Sequence, residues 1–213
     1  QALAIAIEIG NRRGEGTALN RIGMVYKNLG EYEKALEYHE QALAIAREIG
    51  NRRGEGTALN RMGIALKNLA LAHDEEEPEE RRKILEKALE FHEQALTIAR
   101  EIRDRRGEGA ALCNIGSIYR NLGEANKAIE FYEKHLTIAG NIGDRRGEGA
   151  ALGNMGVAYY DLGNYPKAIE LQDKSLTIAR EIKDRRRERN ALWNKSLALD
   201  KMGERKQAID CAK

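Results

Sequence analysis

The sequence predicts an all-α fold, a solenoid of antiparallel helix hairpins, on three observations. The stretch NRRGEGTALNRIG at 11–23 returns as NRRGEGTALNRMG at 51–63, as DRRGEGAALCNIG at 104–116 and DRRGEGAALGNMG at 144–156, and in degenerate form as DRRRERNALWNKS at 184–196. Inside each copy the apolar residues recur at the period of a helix rather than a strand. Glycine closes helices and Asn or Asp opens each copy, so one repeat holds two helices. Three of the four intervals between copies are 40 residues and the other is 53. A chain built by copying such a piece buries surface between neighbouring repeats and needs no single central core.

The elements follow in order. Residues 1–10, QALAIAIEIG, match 41–50 except for Ile7 where Arg47 stands, and read as the tail of a second helix. In the repeat 11–50, Asn11 is an N-cap and Glu15 lies in the first turn, where the helix dipole favours an acid. Ala18, Leu19, Ile22, Gly23, Val25, Tyr26 and Leu29 form the apolar side of the first helix, which Gly30 ends. The second helix runs from about Tyr32 to Ile49, with Ala35, Leu36, His39, Ala42, Leu43, Ala46 and Ile49 on one stripe, and Gly50 closes it. Gly23, matched by Gly63, Gly116 and Gly156, lowers helix propensity by roughly 1 kcal/mol against Ala. Its recurrence predicts a close helix crossing, with Ala35 and Ala42 as the small partners.

The repeat 51–103 carries 13 extra residues near 70–83. Glu76, Glu77, Glu79 and Glu80 surround Pro78, which suits the first turn of a helix. An acidic loop followed by a lengthened second helix from about Pro78 is expected, the loop being either solvated or a partner contact or plug of the groove. Repeats 104–143 and 144–183 are regular. The last, 184–213, has Lys195 and Ser196 at the crossing and reads as a degenerate, truncated repeat of the kind that caps an array. It stops at KQAIDCAK, the front of a second helix, and Lys213 aligns one slot before Gln1. The chain therefore reads either as a fragment of a longer array or as a piece that associates head to tail with its copies through open repeat ends.

Composition narrows the function. Basic and acidic residues nearly balance, 36 against 34, so generic attraction to nucleic acid or an anionic membrane is weak. Aromatic residues are only 5%, too few for a base-stacking platform. No apolar run is long enough to span a bilayer. Cys113 and Cys211 stand in different repeats without a pairing pattern, which fits a reducing, cytoplasmic location. No catalytic constellation, cofactor motif or metal site is expected. His39 and His92 share one slot on the packed stripe and His135 lies a turn later, with no metal-ligand spacing around them. The GEG of each repeat opens a helix without a preceding strand, so it is not a phosphate loop.

The pattern Leu19-x-x-Ile22-Gly23-x-x-Tyr26-x-x-x-Gly30-x-Tyr32-x-x-Ala35, ending in Ala42, resembles the tetratricopeptide repeat. The 40-residue length resembles the subclass found in Pins-type polarity adaptors, kinesin light chain-like proteins, and bacterial and archaeal arrays. The resemblance covers nearly the whole chain, although the proline that normally closes the second helix is absent. It implies a right-handed superhelix whose first helices line a concave groove, and a non-catalytic protein–protein interaction scaffold.

On that implied groove, helical geometry places Thr17, Asn20, Arg21, Met24, Lys27 and Asn28 toward a ligand. The slot two before the crossing glycine reads Arg21, Arg61, Asn114, Asn154, Asn194. The slot four after it reads Lys27, Lys67, Arg120, Tyr160, Asp200, and the next reads Asn28, Asn68, Asn121, Asp161, Lys201. Arg and Lys hold carboxylates, and Asn both donates to and accepts from an extended peptide backbone. The candidate peptide-binding residues are thus Arg21, Lys27, Asn28, Arg61, Lys67, Asn68, Asn114, Arg120, Asn121, Asn154, Tyr160 and Asn194. The expected partner is a protein or peptide segment, extended or helical, and acidic. The competing readings are a solvated helix face, a sensor or regulatory region of a larger signalling enzyme, and a self-associating superhelix. The Arg pairs opening each repeat, such as Arg12-Arg13 and Arg105-Arg106, are expected either to bridge acids of the preceding second helix, for example Glu48 or Glu101, or to form an anion site at helix N-termini.

Overall fold

The computed structural model describes residues 1–72 and 78–212. They form the helices α1 (Ala2–Glu8), α2 (Arg12–Asn28), α3 (Tyr32–Glu48), α4 (Arg52–Ala72), α5 (Pro78–Glu101), α6 (Arg105–Asn121), α7 (Ala125–Asn141), α8 (Arg145–Asp161), α9 (Tyr165–Glu181), α10 (Arg185–Lys201) and α11 (Arg205–Ala212), with no strand among the described residues. The chain divides into two compact units, Gln1–Asn114 and Ile115–Lys213. No described helix is long and apolar enough to cross a membrane. Glu76 and Glu77 of the expected acidic loop, and Lys213, lie outside the described residues.

The first helix of each repeat starts where a side chain caps it. Asn11 Oδ1 accepts from the Gly14 amide at 2.9 Å, and Asp104 does the same for Gly107 at 2.9 Å. Asn51, Asp144 and Asp184 cap α4, α8 and α10 in the same way. The second helices end in a left-handed residue. The Asn51 amide reaches back to Ala46 O at 2.8 Å across Gly50, which sits at φ 66°. Arg103 and Lys183 occupy the slot of Gly50 and take the same turn at φ 54° and 57°. A side chain there costs about 1–2 kcal/mol that glycine avoids, partly offset by the greater freedom of unfolded glycine. Arg103→Gly is therefore expected to raise stability by about 0.5–1 kcal/mol. Thermal unfolding checks it, and an unchanged or lowered midpoint would refute it.

In the first unit Leu43, Ala58, Leu59, Met62, Ala95 and Ile98 join α3, α4 and α5 in one core cluster, while Leu19, Ala42 and Ile45 join α2 to α3. As expected, the second helix of this repeat is lengthened and opens at Pro78; without a glycine stop α4 also runs on to Ala72, which was not expected. Two expectations change. Val25 and Leu29 are 57% and 66% exposed rather than packed. The seven-residue α1 covers only the front half of α2, and Leu29 is already its C-cap. Asn20 is buried, and its Oδ1 lies 2.9 Å from His39 Nδ1, so its side chain is tied inside the hairpin.

The crossing glycines meet larger neighbours than the expected alanines. A Cβ on Gly23 would lie 2.6 Å from the His39 ring, and one on Gly63 2.6 Å from His92 Nε2. In the second unit Gly116 faces Tyr132 and Gly156 faces Gln172 in the same manner. The missing side chain therefore makes room for a flat or amide group of the second helix. Backbone approach contributes as well, since Ala128 O and Ala168 O would lie 3.1 and 3.2 Å from added Cβ atoms on Gly116 and Gly156. In the last repeat the degenerate crossing is satisfied by polar contacts: Lys195 Nζ pairs with Asp173 at 2.6 Å, and Ser196 Oγ donates to Trp193 O at 2.8 Å.

Candidate functional site

The arginines that open each repeat split into two roles. Arg12 bonds Glu48 through Nε at 3.1 Å and also Glu15 at 2.6 Å. Arg52 bonds Glu101 and, at 2.5 Å, Glu55, while Arg145 bonds Glu181 and Glu148. The partners Glu48, Glu101 and Glu181 belong to the second helix of the same repeat, not to the preceding one as expected. An antiparallel hairpin brings the start of its first helix beside the end of its second, which explains the difference. The preceding second helix contributes instead its own arginine: Arg47 reaches Glu55 at 3.0 Å, Arg100 reaches Glu108 at 3.0 Å, and Arg180 reaches Glu188 at 2.9 Å. Burial alone would raise the carboxyl of Glu55, yet Arg47 and Arg52 together hold it below its ordinary value. Glu48 and Glu181 are likewise lowered by their arginine partners.

The second arginine of each pair turns elsewhere. Arg13, Thr17 and Arg21 follow at four-residue spacing on one face of α2, and Arg53, Thr57 and Arg61 repeat them on α4. Between the two helices lies an open cavity of about 300 Å3 lined by all six, with Ala42, Ile45, Ala46 and Ile49 of the second hairpin helix and its cap as an apolar floor. Arg12 also borders it, and no Asp or Glu among the described residues does. Arg61 is half-buried and donates through Nη1 to Asn20 O at 2.8 Å. Burial, and then the neighbouring charge of Arg21, lowers its guanidinium from the ordinary value. A second cavity of about 270 Å3 between α4 and the start of α6 has Asp104 on its wall.

Of the candidate peptide-binding residues, Arg21 and Arg61 meet in this cavity, whereas Lys27, Asn28, Lys67, Asn68 and Asn114 do not line it. Asn114 Nδ2 donates to Asn60 Oδ1 at 2.9 Å, so part of the asparagine series is tied within the fold. In the second unit Arg120 lies 3.4 Å from Asp161, and the ring of Tyr160 is 5.5 Å from that of Tyr165. Asn121, Asn154 and Asn194 are half-buried along α6, α8 and α10. Arg13 and Arg53 were absent from the sequence-derived set because their pairing with Arg12 and Arg52 suggested one common role. The spacing 13, 17, 21 carried the signal that separates them.

The histidines sit in the hairpin interior. Asn60 Oδ1 lies 2.9 Å from His92 Nδ1, and His92 Nε2 has no partner among the described residues. Burial, then the charge of Arg61 and Lys27, holds His39 down at about 4; burial, then Lys67, holds His92 at about 3. Both are neutral core groups. No cluster of metal-ligating side chains occurs among the described residues.

Comparison with known proteins agrees with this architecture. The chain spans 98% of its own length and 51% of aspartyl phosphate phosphatase F from Bacillus subtilis, at 18% identity and a TM-score of 0.82. It matches a Podospora anserina protein described as a putative kinesin light chain with nearly identical TPR-like repeats, at 17% identity and a TM-score of 0.66, covering 92% of this chain and 90% of that one. A Rap protein solved in complex with competence and sporulation factor aligns at 16% identity and a TM-score of 0.74, over 94% of this chain and 51% of that one. The present chain thus spans about half the length of two of these neighbours. No curated protein sequence matches it. The family model for the tetratricopeptide repeat matches residues 1–76, 79–141 and 147–213. With hairpins, capped helices and crossing glycines recurring along its length, the chain belongs to the tetratricopeptide repeat family.

Proposed function

We propose that the chain is a non-catalytic interaction scaffold that binds an acidic peptide segment across its first helices. In the first unit Arg21 and Arg61 would hold carboxylates, with Lys27 and Lys67 adding charge and Asn114 adding backbone contacts. In the second unit Arg120 and Asn154 would offer the same kinds of group. The observation that carries this is the cavity between α2 and α4, where Arg13, Arg21 and Arg61 gather without a carboxylate partner among the described residues. Like charges kept together in a folded protein cost energy unless a ligand offsets them. The Rap protein that aligns with this chain was solved with a bound factor, which supports reading the fold as a partner-binding frame. Arg120 is paired with Asp161 and would have to exchange that partner for the ligand.

The charge-reversed variant Arg21→Glu/Arg61→Glu is expected to bind a glutamate-rich peptide at least about tenfold more weakly, near 1.4 kcal/mol. Calorimetric titration of both proteins checks this. Equal affinity would remove these residues from the site.

A further inference from the structure

The cavity between α2 and α4 carries more positive charge than a carboxylate requires. Arg12 is occupied by Glu15 and Glu48. Arg53 reaches Asp104 at 3.5 Å with a side chain 71% exposed. Arg13, Arg21 and Arg61 have no carboxylate partner among the described residues. A lone carboxylate brings one charge and two oxygens, which a single guanidinium fork satisfies. A phosphomonoester brings about −1.5 to −2 charge and three terminal oxygens, matching several guanidinium groups at once.

The repeats supply an internal comparison. Arginine stands at the slots of 13, 53, 106, 146 and 186 in every repeat, but the slot of Arg21 and Arg61 becomes Asn114, Asn154 and Asn194 afterwards. Only the junction of the first two repeats brings arginine from both slots of both helices. The cavity beyond α4 has Arg53 and Arg61 on its α4 side only, and Asp104 beside them.

We infer that this cavity is a subsite for a phosphorylated serine or threonine side chain on the acidic segment. The inference rests on the peptide-binding function proposed above and narrows its ligand. A volume of about 300 Å3 is at the low end of ligand pockets, which run from about 300 to 1,000 Å3, and suits one side chain rather than a folded partner. Asn51, Arg53 and Gly54 place the first turn of α4 on the wall, so the positive end of that helix adds to the arginines. The floor of Ala42, Ile45, Ala46 and Ile49 lowers the local dielectric and strengthens the charge interaction.

The test titrates N-acetyl-phosphoserine N-methylamide, N-acetyl-glutamate N-methylamide and inorganic phosphate separately into the 15N-labelled full chain at neutral pH. Backbone amides of Thr17, Gly54 and Thr57 report occupancy of the cavity. The phosphoserine probe is expected to shift these amides and to bind at least tenfold more tightly than the glutamate probe. In Arg21→Asn/Arg61→Asn, which takes the residue that later repeats carry in this slot, that advantage is expected to disappear while the remaining spectrum stays folded. Equal affinity for the two amino-acid probes, or an advantage that survives in the variant, overturns the subsite. Inorganic phosphate binding as tightly as the phosphoserine probe overturns its assignment to a polypeptide. A glutamate-rich peptide titrated in parallel separates the two levels. If it fails while the phosphoserine probe binds at these amides, the broader acidic groove falls and the subsite stands. If it binds while the two probes are equal, the subsite falls and the groove stands.

Discussion

Gly63→Val is expected to destabilise the protein by about 3 kcal/mol, whereas Gly140→Val is expected to be neutral or slightly stabilising. Both glycines lie within helices, so both replacements gain helix propensity of similar, small size. What differs is the space beside them. An added Cβ on Gly63 would stand 2.6 Å from His92 Nε2 and 2.7 Å from Cε1, before the two further methyl groups of Val are placed. His92 cannot yield easily, because it is fully buried and hydrogen-bonded to Asn60. Overfilling a packed interior typically costs about 1–3 kcal/mol. A Cβ on Gly140 meets nothing within 4 Å. Urea unfolding of the two variants beside the parent checks the pair, and similar losses at both positions would refute the steric explanation of the crossing.

Acid is expected to weaken the first unit as soon as pH falls below 6.5. His39 and His92 are neutral in the fold at about 4 and about 3, against an ordinary value of 6.5. Above pH 6.5 both folded and unfolded chains carry neutral imidazoles, so stability does not depend on these groups. As pH falls below 6.5 the unfolded chain takes up protons and the folded chain does not, so stability falls. The slope is about 1.4 kcal/mol per pH unit for each histidine, which reaches about 2 kcal/mol each by pH 5, and it levels only near the folded values. Asn60 and Asn20 accept from the neutral rings but neither offers a negative charge to hold a proton on them. His39→Gln/His92→Gln, which copies Gln172 in the same slot, is expected to flatten the decline between pH 6.5 and pH 5. Unfolding free energies measured across that range in parent and variant decide it; an equally steep decline in the variant would assign the acid sensitivity to other groups.

Local order was legible because its signals are local. Asn11, Asn51, Asp104, Asp144 and Asp184 begin helices by bonding amides three residues on, and a glycine in the left-handed turn ends them, so helix number and the start at Pro78 could be read from neighbours in the chain. The crossing glycines were legible too, since each recurs in one slot. Their partners were legible only in part: the alanine in the slot of Ala35 approaches Gly116 and Gly156 through its carbonyl, but the ring or amide beside each glycine was not foreseen. Whether Gly63 meets an alanine or the face of His92 depends on how two helices rotate against each other, and spacing alone does not set that angle.

The candidate site divides in the same way. The four-residue spacing of Arg13, Thr17 and Arg21 puts them on one face of one helix, and that much follows from sequence. Which arginine of each opening pair bonds a glutamate of its own hairpin, and which turns toward the next repeat, followed only from the hairpin. It brings Arg12 to Glu48 of its own second helix, and it sets Arg13 and Arg21 across a cavity from Arg53 and Arg61, 40 residues later in the chain. By itself the sequence determined an all-α array of capped hairpins, because capping, helical period and glycine turns act over a few residues. The tertiary structure alone decided which charges are neutralised, because an ion pair is made by distance in space and the repeat presents the same arginines to different neighbours.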